Sequence, residues 1–195
     1  MNKNLNKKKE TSMRKILIIG AGGIGSHLIP ALARTNMYDI TVFDPDIVET
    51  KNLTYQNFDE AQVGETKVAA MNQSWNINAQ PYKVLTKKQI KGYELVVCCA
   101  DNLTIRQTLY KTENKWLDLR AQGRNGLLVS YEENKKILAM LNVGPDGSFS
   151  CQGDKWDGTA GDIHFTHIAI AGMGAQWIQR WFAGEDVKKN IQLSI

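Results

Sequence analysis

KILIIGAGGIGSHLIPALAR, residues 15–34, decides the fold of this chain. Residues 15–19 are a continuous apolar run, the signature of a parallel strand buried on both faces. Gly20, Gly22 and Gly25 follow in a G-x-G-x-x-G spacing. A helix through about Arg34 then carries Ile24, Leu28, Ala31 and Leu32 on one face. Strand, glycine turn and helix in that order form a nucleotide site: the glycines allow close backbone approach, and the helix start offers free N–H donors to phosphate. Residues 39–44 (DITVFD) form the next strand, and Asp44 at its end falls about 20 residues beyond the glycines, where a carboxylate can accept both ribose hydroxyls. NAD and ATP fit this much equally well.

Outward from there, strand and helix alternate. A helix is expected near residues 62–74, a weak strand at Tyr82–Leu85, a strong one at residues 93–99 (YELVVCC), a helix over Asn102–Glu113 and a strand at residues 116–119 (WLDL). After Gly126 the pattern changes, and LLVSY and KKILAML, separated by EENK, read as an antiparallel hairpin. Residues 142–162 are a Gly- and Asp-rich loop, and a last helix spans roughly His164–Ala183. The expected fold is α/β: a Rossmann-like, doubly wound, mostly parallel sheet with an antiparallel hairpin extension and a C-terminal helix.

Length and composition narrow the classes further. The 195 residues suit one domain over 14–195, preceded by a basic tail over 1–13. Net charge is +4, and Lys3, Lys7, Lys8, Lys9, Arg14 and Lys15 stand against one acid, Glu10, in the opening stretch. Such a tail reads as a solvated, disordered end rather than a nucleic-acid arm, so nucleic acid is not expected as a partner. No stretch approaches the ~18 consecutive apolar residues of a membrane span. Cys98 and Cys99 sit in an apolar strand and Cys151 stands alone in a polar loop, an odd set without C-x-x-C spacing. Reduced thiols, a cytoplasmic setting and no structural zinc are therefore expected.

The segment DPDIVETKNLTYQNFDEAQVGETK, residues 44–67, separates the two cofactors. It resembles the ThiF/MoeB/HesA family, the ubiquitin-activating type of adenylyltransferase, whose pattern is roughly D-x-D-x-V-x-x-x-N-L-x-R-Q, then V-G-x-x-K, then a strand ending in D-N. Asp44, Asp46, Val48, Asn52, Leu53, Gln56, Val63, Gly64 and Lys67 fall on it in order, and CCADNLTIR matches the later element through Asp101, Asn102 and Arg106. The likeness runs from about residue 14 to residue 186. It implies ATP and magnesium as cofactors. Gly20, Gly22, Gly25, Asp44, Asp46, Asn52, Gln56 and Lys67 would bind the nucleotide, Asp44 at the ribose and Asn52 and Lys67 at the triphosphate. Asp101 would hold magnesium. The reaction implied is attack of a C-terminal carboxylate, on a ubiquitin-like protein or peptide, at the α-phosphorus, with positioning and charge neutralisation as the protein's work. A homodimer or heterodimer is implied as well.

The chain departs from the family at three places. Tyr55 stands where N-L-x-R-Q has arginine, no arginine-bearing helix precedes the first strand, and the zinc-binding C-x-x-C pairs are absent. Cys151 is either a nucleophile taking the acyl group as a thioester or an unpaired loop residue. His164 and His167 read as capping or packing residues. The missing arginine suggests that the basic tail, Arg14 included, imports a cation to a partner's site. Two competing readings remain: a catalytically impaired nucleotide-binding partner subunit, and an NAD-dependent oxidoreductase, in which Lys67 and Asp101 would have no purpose.

Overall fold

The computed structural model describes residues 12–141, 151, 152, 156 and 162–195. Its centre is β1 (Arg14–Ile19), the apolar run of the opening stretch. Period-two alternation sends Ile16 and Ile18 into one core and Leu17 and Ile19 into the other, and all four are buried. Helices on both faces demand this double burial, worth about 1.5–3 kcal/mol per side chain. The first core lies beneath α1 (Gly25–Ala33), α2 (Lys67–Ser74) and α5 (Thr166–Phe182). The second lies beneath α3 (Leu103–Tyr110) and α4 (Lys135–Leu141).

The remaining strands are β2 (Tyr38–Phe43), β3 (Asn78–Gln80), β4 (Leu95–Cys98), β5 (Trp116–Gln122), β6 (Asn125–Ser130) and β7 (Asn190–Ser194). They form one sheet in the order β3-β2-β1-β4-β5-β6-β7. Neighbours from β3 to β5 are parallel, and β5–β6 and β6–β7 are antiparallel. Chain order reverses at β1, with β2 on one side and β4 on the other. Above the carboxyl ends of those strands lies the crevice where doubly wound sheets bind ligands.

The fold class is the one expected from sequence, but the extension is assembled differently. KKILAML is helix α4, not the second strand of a hairpin. Lysine, leucine, alanine and methionine favour helix, and the Asn134 side chain accepts a 2.8 Å hydrogen bond from Lys136 N at its start. The hairpin partner of β6 is β5, turning at Gly123. The outer partner is β7, a short strand of alternating exposure that the polar C-terminus concealed. The weak strand expected at Tyr82–Leu85 lies at Asn78–Gln80 instead. Pro81 ends it, since proline has no N–H for the ladder, and Tyr82 and Leu85 are exposed.

The basic tail expected over 1–13, apart from Ser12 and Met13, lies outside the described residues, as does most of the loop expected at 142–162. Arg14 is a correction. It opens β1, donates to Glu94 at 2.9 Å and stacks its guanidinium on the Phe182 ring. That is the strand end opposite the crevice, so Arg14 belongs to the sheet and stands away from the cleft.

Candidate functional site

A cleft of about 710 Å³ opens at the carboxyl ends of β1, β2 and β4. Its floor is the glycine turn. Gly20 adopts φ +98°, a left-handed conformation that favours glycine, and a Cβ there would meet Ala100 N at 2.9 Å. A side chain on Gly25 would run into the Gly20 carbonyl, so glycine is what lets α1 start directly over the strand. A Cβ on Gly22 would meet nothing within 4 Å, and that open space is the cleft itself. Helix α1 begins with no side-chain cap, but its Ser26, His27 and Leu28 N–H groups bond to the Gly22 and Ile24 carbonyls, so the glycine turn ahead of the helix is what offers N–H groups to a ligand.

Asp44 follows β2 and locks the turn in place. It is 5% exposed; one carboxylate oxygen accepts from Ala21 N at 2.6 Å and the other from Asp46 N at 2.8 Å. Burial pushes its carboxyl above the usual range, against the opposing pull of Lys67 and the two N–H donors. Each oxygen keeps a second lone pair, so holding the loop and accepting a ribose hydroxyl are compatible.

The wall from Thr50 to Asn57 is fixed by its neighbours. Pro30 cannot donate to the carbonyl four residues earlier, and that Ser26 carbonyl instead accepts from Asn57 Nδ2 at 3.4 Å. Ser26 Oγ accepts from Asn57 N at 3.1 Å. Asn52, buried on the cleft wall, uses its side-chain oxygen to accept from Glu49 N at 2.9 Å in a capping box. Gln56 is also buried there, and its Oε1 has no hydrogen-bond partner. Lys67 opens α2 after the Thr66 cap; its N–H donates to the Asp46 carbonyl at 2.9 Å and its Nζ lies 3.3 Å from Asp46 Oδ2. Asp101 follows β4 on the opposite wall, just before Asn102, whose side chain caps α3 by accepting from Ile105 N at 3.1 Å.

Gly20, Gly22, Asp44, Asp46, Asn52, Gln56, Lys67, Asp101 and Cys151 thus all line one cleft, and Gly25 supports it from beneath. Among the described residues no cluster of three or more histidine, cysteine or acidic side chains is arranged for a metal. A single carboxylate is nonetheless the donor set that magnesium takes when substrate phosphates complete its shell.

Tyr55 fills the place of the family arginine with an uncharged ring that packs edge-on against Trp156 at 5.0 Å. Its carbonyl is held by two imidazoles: His167 Nε2 at 2.8 Å and His27 Nε2 at 3.3 Å. Gln152 Nε2 lies 3.3 Å from His167 Nδ1 and donates to the His164 carbonyl, while Gln152 Oε1 accepts from His164 N. The His164 backbone thereby fixes the orientation of the amide. His167 Nδ1 must accept and Nε2 must donate, so the ring is neutral. Burial lowers the pKa of both histidines, and His27 lowers that of His167 further. His167 is a packing residue, as expected. The Cys151 thiol rests against Gly23, where burial pushes it up to about 11 and keeps it protonated at neutral pH.

One group of site residues was given no role from sequence. Asp118, fully buried in β5, accepts from Arg106 Nε at 3.2 Å, Tyr110 OH at 2.6 Å and Arg120 Nε at 2.9 Å. Arg106 lines the cleft. The available signal was spacing: Arg106 and Tyr110 are four apart on a helix, and Asp118 and Arg120 two apart on a strand, so each pair shares a face.

The profile of the ThiF family matches residues 3–193. The chain is 33% identical over 143 residues to the NEDD8-activating enzyme E1 catalytic subunit of Caenorhabditis elegans, covering 68% of this chain and 32% of that protein. It is 29% identical over 142 residues to the adenylyltransferase and sulfurtransferase UBA4 of Saccharomyces cerevisiae, covering 67% of this chain and 32% of that protein. It therefore spans about a third of the length of these relatives. The crystal structure of Escherichia coli MccB with ATP superposes with a TM-score of 0.67 at 17% identity, over 93% of this chain and 60% of that one. MccB with MccA gives 0.69 at 17% identity, over 93% and 60%. At that identity the likeness is one of fold.

Proposed function

The chain belongs to the ThiF family, and from that premise we propose that it binds ATP with magnesium and adenylates the C-terminal carboxylate of a ubiquitin-like protein or peptide. The observation that carries the reading is convergence. Residues from separate stretches between Gly20 and Asp101 line one cleft above an uncapped helix start, with Lys67 as a cation buried in its wall. A dinucleotide site has no use for that lysine or for Asp101; a metal triphosphate uses both.

In the reaction, a carboxylate oxygen attacks the α-phosphorus of ATP. The new C–O–P linkage forms as the bond from the α-phosphorus to the bridging oxygen breaks, and the electron pair leaves with pyrophosphate. Asp44 and Gln56 orient the nucleoside, the glycine-turn N–H groups and Lys67 bear on the phosphates, and Asn52 keeps the wall in register. Asp101 would hold magnesium, which supplies the positive charge that offsets the leaving pyrophosphate. No proton transfer is required of the protein, in keeping with a site that offers charge and position.

The test is ATP–pyrophosphate exchange with and without candidate ubiquitin-like proteins and peptides. Acceptor-dependent exchange is the expected result. Tight MgATP binding with no exchange under any acceptor would overturn the enzyme in favour of a nucleotide-binding partner subunit.

A further inference from the structure

We infer that the guanidinium of Arg106 receives the carboxylate of the peptide to be adenylated, an assignment that rests on the adenylation reading above. The argument begins with charge. Asp118 is fully buried and brings one negative charge, against which stand two guanidinium groups, while burial pushes the Tyr110 phenol up so that it stays neutral. The cluster thus holds one surplus positive charge.

The two arginines differ in what the protein uses. Arg120 is consumed: Nε donates to Asp118, NH1 to the Leu141 carbonyl at 3.0 Å and NH2 to Tyr110 OH at 2.7 Å. Arg106 gives only Nε to Asp118, and among the described residues its two terminal nitrogens make no hydrogen bond. Its side chain is 12% exposed and lines the cleft. A guanidinium held by one edge, with its outer edge open, presents a fork matched to an oxyanion.

Position selects the oxyanion. Across the sheet, Asp44 stands at β2, the glycine turn at β1, Asp101 after β4, and the Arg106–Asp118 pair at α3 and β5. Arg106 is one strand beyond Asp101, on the side away from the ribose anchor. Lys67 belongs to the opposite side, on α2, which packs against the other face of the sheet. In-line displacement at phosphorus brings the attacking oxygen in opposite the leaving group. With Lys67 at the pyrophosphate, the fork across the cleft is at the entry side.

Acetyl-glycylglycine is the probe, because it carries a peptide α-carboxylate and no side chains. It is titrated by calorimetry, as free acid and as C-terminal amide, into protein saturated with magnesium and α,β-methylene-ATP. The acid should bind about tenfold more tightly than the amide, the difference one charge-assisted fork makes. Arg106→Gln should erase that preference and leave the nucleotide affinity unchanged, and Arg106→Lys should recover part of it. Both variants should fold, since Asp118 keeps Arg120 and Tyr110; Arg106→Lys also retains the charge beside it. Equal binding of acid and amide, or no binding of either, overturns the assignment. So does a loss of nucleotide affinity in Arg106→Gln, which would assign the fork to phosphate. Failure of the unaltered protein to bind the nucleotide analogue is a different result: it overturns the adenylation reading itself, and this assignment with it.

Discussion

The two walls of the cleft are built by different means. On the β1–β2 side, positions are set by contacts with the backbone: Asp44 accepts from Ala21 N and Asp46 N, Asn52 from Glu49 N, and Thr66 from Ala69 N. On the β5 side, position is set mainly between side chains, with Arg106, Tyr110 and Arg120 converging around Asp118. Backbone-anchored residues can lose a side-chain tip and leave the wall standing. A buried ion network cannot lose its only carboxylate, because two guanidinium groups would be stranded around it.

That contrast is open to breakage, first where the effect is largest. Asp101 lines the cleft where the chain leaves β4. Asp101→Ala should reduce pyrophosphate exchange by about three orders of magnitude, roughly 4 kcal/mol, with little change in the urea midpoint. Unchanged exchange would remove Asp101 from the magnesium site. Asp118→Ala should do the reverse in kind: a loss of about 3–5 kcal/mol in stability by urea unfolding, whatever becomes of turnover. A variant as stable as the parent would show that the β5 wall does not depend on its carboxylate.

The same contrast governs what the sequence discloses. The β1–β2 wall is legible because its residues lie close together in the chain, each with its strand or helix terminus beside it. Gly20, Gly22, Asp44, Asn52 and Lys67 are therefore all identifiable as lining residues. What their chemistry looks like is less legible: that Asn52 also caps a turn, and that Asp44 also pins the glycine loop, are properties of folded backbone. The β5 wall is a side-chain assembly joining a helix to a strand, and no short motif announces it. Helix α4 and strand β7 fail for a related reason. Ile137, Leu138, Met140 and Leu141 are apolar enough for either element in so short a run, and β7 gains its identity only by pairing with β6.

A smaller effect sharpens the account of the loop opposite α5. His27 and His167 both donate to the Tyr55 carbonyl, and burial holds both neutral below their ordinary value of 6.5. The unfolded chain takes up protons first, so stability is complete above about pH 6.5 and falls as the pH drops below it. The slope cannot exceed about 1.4 kcal/mol per pH unit for each imidazole. Melting curves between pH 7.5 and 5 check the sign; His167→Gln should flatten them. A melting temperature that rises on acidification would contradict the neutral assignment.

The smallest effect belongs to Cys151. With burial pushing its thiol up to about 11, little of Cys151 is thiolate at neutral pH, and Cys151→Ser should leave exchange within about a factor of two. A thiol-sensitive covalent adduct with an acceptor, lost in that variant, would assign it the thioester role instead.

The central claim is that the cleft takes a metal triphosphate, and titration calorimetry of MgATP against NAD on the same protein tests it most directly. The account predicts a saturable MgATP isotherm that weakens at least tenfold in Lys67→Ala, the loss of one charge-assisted contact, and no measurable heat with NAD. NAD binding of equal strength, indifferent to Lys67, would contradict it.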